Sequence, residues 1–176
     1  MKTRAVRHLS VALAIVLAPG ATVLTPLATP AGATNVANCV SSQLTLTHGR
    51  SQGTAGTTYV PIVVTNHRGT CAIWGVPAIQ PVIGATHRAL GPIARNLSMG
   101  EMAARQLIAK GASVSVAFGV VDTGNYSPST CVARRANGVK VSLGGFFAHR
   151  FVGFPLTVCT KITSTTTRLL AKGSRG

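Results

Sequence analysis

From residue 38 onward the sequence is cut into short runs of Val, Ile, Thr and Leu by clusters of Gly, Asn and Pro, and apolar residues almost never recur at helical spacing. That punctuation restricts the chain to an all-β domain. In 58–66, Tyr59, Pro61, Val63 and Thr65 alternate with Val60, Ile62 and Val64, and 40–48 alternates more loosely through Val40, Gln43, Leu44 and Leu46. Period two sends successive side chains to opposite faces, so each segment is expected to lay one face on a core. Further strands are expected at 72–74, 78–83, 105–109, 112–122, 131–135, 139–143 and 151–163. Lys110-Gly111 and Asn137-Gly138 each stand between two such runs and predict hairpin turns, making neighbouring strands mostly antiparallel. Ser98-Met99-Gly100-Glu101 has the form of a capping box, and Met99, Met102, Ala103 and Leu107 fit one helical face, which predicts a short helix near 99–104. The last stretch, 164–176, holds Thr165-Thr166-Thr167 and then Arg168, Lys172 and Arg175, and predicts a flexible basic tail.

Residues 1–33 have the form of a secretory signal peptide. Lys2, Arg4 and Arg7 make a charged start, 9–18 an apolar run, and Ala31-Gly32-Ala33 a small-x-small cleavage site. Pro19, Gly20, Pro26 and Pro30 break the apolar stretch short of the roughly 20 residues that a membrane span needs. A lipid anchor at Cys39 is the alternative, since Val36-Ala37-Asn38-Cys39 loosely resembles a lipoprotein box, although Asn38 stands where that box wants a small residue. Cleavage after Ala33 leaves 143 residues. That length fits one domain, 34–163 plus its tail, able to bury about two thirds of its extended surface.

Cysteines occur at 39, 71, 131 and 159. An even number in an exported chain predicts two disulfides. Three pairings are open, and Cys39 with Cys71 and Cys131 with Cys159 are expected because each joins near neighbours in a series of sequential strands. A zinc site of the usual kind would show C-x-x-C pairs, and none is present. No cofactor is expected.

Cys39 ahead of the first strand, the strand ending in Asn66, Thr70-Cys71-Ala72-Ile73-Trp74-Gly75-Val76-Pro77, the 107–121 segment around Lys110-Gly111, and the late Cys131 and Cys159 resemble domain of unknown function 4232 over roughly 38–162. That family belongs to exported actinobacterial proteins. The resemblance implies an immunoglobulin-like antiparallel β-sandwich, expected here with about 7 to 9 strands, and it brings no catalytic residues.

Glu101 and Asp122 are the only carboxylate side chains, against 17 Lys plus Arg. Paired-carboxylate chemistry, carboxylate-rich calcium sites and two-metal phosphoryl transfer lack their ligands. Gly49-Arg50-Ser51-Gln52-Gly53 matches the G-x-S-x-G nucleophile elbow, with Asp122 and His149 following in hydrolase order, but no helix-forming segment follows Ser51. Asp122-Thr123-Gly124 matches an aspartic-protease motif, which as a single copy would work only as a homodimer sharing a proton between two Asp122 side chains. A small secreted hydrolase is therefore the alternative reading, and the expected one is non-enzymatic. His48, His67, His87 and His149, with Met99 and Met102, show no metal-ligand spacing.

Lys2, Arg4 and Arg7 account for three of the seventeen cations, so fourteen remain against two acids after cleavage, a net charge of +12. Ion pairs within the protein can neutralise at most two of them. Arg134, Arg135, Lys140, Arg150, Arg168 and Lys172 are the candidate contacts to a polyanion. The expected partners are anionic cell-envelope polymer, lipid head groups or a secreted protein. Nucleic acid is not expected, because Trp74, Tyr59 and Tyr126 are too few for a stacking platform.

Overall fold

The structure is a computed structural model and describes residues 35–175; the expected signal, 1–33, lies outside the described residues. Its strands are β1 (Leu44–His48), β2 (Gln52–Thr54), β3 (Thr57–Asn66), β4 (Cys71–Ile73), β5 (Ala78–Ile83), β6 (Arg88–Ala89), β7 (Arg95–Asn96), β8 (Gln106–Ile108), β9 (Ser113–Val121), β10 (Ala133–Leu143), β11 (Phe147–Cys159), β12 (Thr165–Thr167) and β13 (Ala171–Lys172). The larger sheet runs β1-β3-β9-β12-β7, with β2 beside β3 and β13 beside β9, the second runs β11-β10-β5-β6, and β4 and β8 form a small third. The expected all-β sandwich is observed, and strands of two or three residues bring the number to thirteen. Neighbours are antiparallel apart from β12 beside β7 and a bridge from Asn38 to Ala72.

Alternation in β3 and β9 places Val60, Ile62 and Val64 with Val114, Val116 and Phe118 on one side of the core. Ile79, Val139, Val141, Val152, Phe154, Leu156 and Val158 face them from the second sheet. Phe118 meets Phe154 edge to face across the gap, with centroids 6.4 Å apart. Each such side chain contributes about 1.5 to 3 kcal/mol on leaving water. Cys39 is bonded to Cys71 and Cys131 to Cys159, the expected pairing. The separations of 32 and 28 residues correspond to about 3 to 4 kcal/mol each in the chain-entropy account.

Four local expectations are corrected. Lys110-Gly111 does not join a hairpin, because β8 pairs with β4 and β9 with β3. The chain changes sheet there, and buried Asn66 holds the crossing: its side-chain amide donates to Ile108 and Gly69 carbonyls, and its own carbonyl accepts from Gly111 N–H. Asn137-Gly138 is not a turn but an irregularity inside β10, where the register to β11 shifts between Ala136 and Gly138. The Phe151 ring covers Gly138 so closely that an added Cβ would sit 2.5 Å from it, and His87 stacks on that ring at 3.8 Å.

The helix near 99–104 is absent. Glu101 N–H closes a single turn onto Ser98 carbonyl, and the Ser98 hydroxyl instead accepts from Leu169 N–H. Met99 and Met102 are 82% and 95% exposed, so nothing packs on the face that would have sustained a helix. An α-helical turn forms elsewhere, α1 (Pro128–Cys131), capped by Ser127. The tail from 164 is not frayed: Thr165, Thr166 and Thr167 are buried as β12, and Leu170 joins the core. Threonine is β-branched and suits a strand between β9 and β7 as readily as a polar tail.

Candidate functional site

Two clefts carry polar chemistry. The first follows from Pro61. Proline has no N–H to give a ladder, and the strand along this side of β3 is interrupted there: β1 pairs up to Ile62, β2 resumes at Tyr59, and between them Gly49 N–H donates to Pro61 carbonyl at 2.8 Å. The displaced loop Gly49-Arg50-Ser51 forms one lip of an opening of about 570 Å³ at the end of the sandwich. Thr58, Val60 and Val120 line it from the larger sheet, Phe154 to Thr157 from β11, and His48, Asp122 and Thr123 complete the rim. The β2–β3 turn puts Ala55 and Gly56 at positive φ, and Gly56 carbonyl accepts from Asp122 N–H at 2.8 Å, fixing the carboxylate at the rim. Asp122 Oδ1 accepts from Gly124 N–H at 2.9 Å and caps the 3-10 turn Thr123–Asn125.

This cleft brings Ser51 and Asp122 together, as a triad would need, but not with His149. His149 lies five residues before Phe154 on β11, about 17 Å away at the rise of an antiparallel strand. The imidazole in the cleft belongs to His48, which packs against Phe154 at 5.1 Å and directs Nδ1 to Gly49 carbonyl at 3.2 Å. Among the described residues Ser51 has no hydrogen bond to an imidazole, the contact that activates a serine nucleophile. No helix follows Ser51; β2 does. Nor do three His, Cys, Asp or Glu side chains gather around a common point among the described residues.

The second cleft is cationic. β5 pairs with β10 only from Gly138 to Ser142, so residues 133–136 of β10 run past the β5–β6 turn without a partner on that side. Arg88, Arg134 and Arg135 line the resulting notch of about 620 Å³ with Ile83, Leu90, Val132 and Thr160, and no acid is among the lining residues. All three arginines are exposed. The Cys131–Cys159 bridge fixes the notch from behind, beside Val132 and Thr160.

The other expected cations disperse. Arg150 lies near the opposite end of β11, paired with Val141 where Arg134 pairs with Val158, and donates to Ser41 carbonyl at 3.1 Å. Those eight residues of β11 span roughly 27 Å. Lys140 projects between Gln80 and Phe151 in the middle of the second sheet, while Arg168 and Lys172 belong to the larger sheet's C-terminal segment. Arg88, His48 and Arg50 were not singled out by spacing. Arg50 stands inside the Gly49-Arg50-Ser51-Gln52-Gly53 motif, whereas no local signal marks Arg88 and His48, which the registers of β5 on β10 and of β1 on β3 bring to their clefts.

The model of the family described as domain of unknown function (DUF4232) matches residues 39–168. The chain belongs to that family. The match runs from the first cysteine to just past the end of β12, taking in both disulfides, both clefts and the start of the segment expected to fray. No curated protein and no solved structure matches the chain.

Proposed function

We propose that this member of the family is a non-enzymatic, exported binding protein that associates through its basic surface with anionic polymer of the cell envelope. The observation that carries the reading is a single notch lined by Arg88, Arg134 and Arg135 with no acid among its lining residues. Guanidinium groups offer paired donors that match phosphate and carboxylate, and three of them on one cleft concentrate a field that scattered cations do not. Two disulfides suit a protein that works outside the cell.

The test is co-sedimentation of the purified protein with envelope fractions, and titration with polyphosphate as a defined polyanion, across a salt series. Binding is expected to fall on the order of tens-fold for a fourfold rise in salt, as three phosphate contacts imply. It is also expected to be lost when Arg88, Arg134 and Arg135 are changed together to Gln. Binding indifferent to salt, or unchanged in that variant, overturns the reading, and capture of a protein rather than a polymer redirects it to a secreted partner.

A further inference from the structure

The cleft at the open end of the sandwich joins features that occur together nowhere else in the described structure. It holds one of the chain's two carboxylates, Asp122, with a guanidinium, Arg50, on a rim that also carries His48 and Ser51. Its walls are apolar, from Val60, Val120, Phe154 and Leu156, and its hydroxyls, on Thr58, Thr123 and Thr157, are spread around them. One oxygen of Asp122 is occupied by Gly124 N–H, and no hydrogen bond to the other is formed among the described residues. A volume of about 570 Å³ is that of a small-ligand site.

Charge narrows the ligand. A cation would have to approach a protein whose described residues carry fourteen Lys and Arg against two acids, a net charge of +12, and a polyanion entering here would meet the Asp122 carboxylate. A ligand with one charge of each sign and no net charge is neither repelled at long range nor opposed at the rim. If that ligand also carries amide groups for the hydroxyls and apolar side chains for the walls, it is a short peptide with free ends. We propose that this cleft binds short apolar peptides, Arg50 receiving the terminal carboxylate and Asp122 the terminal ammonium. The site is independent of the arginine notch, and the two differ in their response to salt.

Calorimetric titration of the full chain with the tripeptide Leu-Leu-Phe, compared with its N-acetylated and C-amidated forms, tests the assignment. The free-ended peptide is expected to bind saturably, with little change between low and high salt, and each blocked end to weaken binding roughly tenfold, the scale of a charge-assisted hydrogen bond. Asp122→Asn keeps the acceptor that caps the 3-10 turn. In that variant the acetylation penalty should vanish while the amidation penalty stays. Arg50→Gln should show the reverse. No saturable binding, equal binding of free and blocked peptides, penalties that persist in both variants, or displacement of the peptide by polyphosphate would each overturn the proposal.

Discussion

The two clefts lie in one small domain on adjacent strands, β11 lining one and β10 the other, yet their charge could hardly differ more. The notch beside β10 has three arginines and no acid among its lining residues, whereas the opening at the end of the sandwich has one arginine and one aspartate. In a chain with only two carboxylates, the placement of a single acid decides which ligand class a cleft admits. It also shows that a large net charge describes the approach of a partner better than it describes any one site.

The comparison can be broken most severely at the floor of the mixed-charge cleft. Phe154 lines it, is 8% exposed and packs on Phe118. Phe154→Ala is expected to cost about 3 to 5 kcal/mol in chemical denaturation, enlarging that cleft while leaving the arginines in place. Slightly smaller is the effect on the notch of losing its disulfide: Cys131→Ser with Cys159→Ser should lower stability by about 3 kcal/mol and weaken polyphosphate binding more than peptide binding.

Gly138→Ala tests the strand that carries the notch. Its new methyl would collide with the Val152 carbonyl and the Phe151 ring. A loss of about 1 to 3 kcal/mol is expected, visible as a lower midpoint of thermal unfolding. The smallest change in stability is predicted for Arg88→Gln, Arg134→Gln and Arg135→Gln together. These exposed side chains should shift stability by no more than about 0.5 kcal/mol per substitution, so that lost polyanion binding reads the notch and not the fold.

How much of this was legible before folding varied by element. Alternation in 58–66 was enough to find β3, because a strand half-buried on one face writes that pattern directly, and the apolar run at 112–122 was enough to find β9. The disulfide partners followed from order along the chain. Asn137-Gly138 misled because the residues that favour a tight turn also suit a bulge, and the choice was made by Phe151 and His87, rings contributed from distant sequence. Lys110-Gly111 misled because a turn signal says that the chain reverses, not which sheet receives it. The polar C-terminal segment hid a buried strand since its hydroxyls find partners only after folding, Thr167 Oγ1 donating to Pro77 carbonyl and Ser164 Oγ accepting from Cys159 N–H. Ser51 and Asp122 could be named from motifs and do share a cleft. The imidazole beside them is that of His48 and not His149, because the interruption at Pro61 sets where the Gly49-Arg50-Ser51 loop sits.

The position of β12 has a consequence for when the fold can form. β7 pairs only with β12 among the described strands, and β12 in turn joins it to β9. Residues 95 and 96 therefore wait for residues 165–167 before their ladder exists, and the larger sheet cannot be completed until almost the whole chain has emerged. Pairings of such long sequence separation form slowly. Under the export proposed above, that delay is useful: β12 and β13, the last strands to arrive, complete the larger sheet, so closure is postponed to the far side.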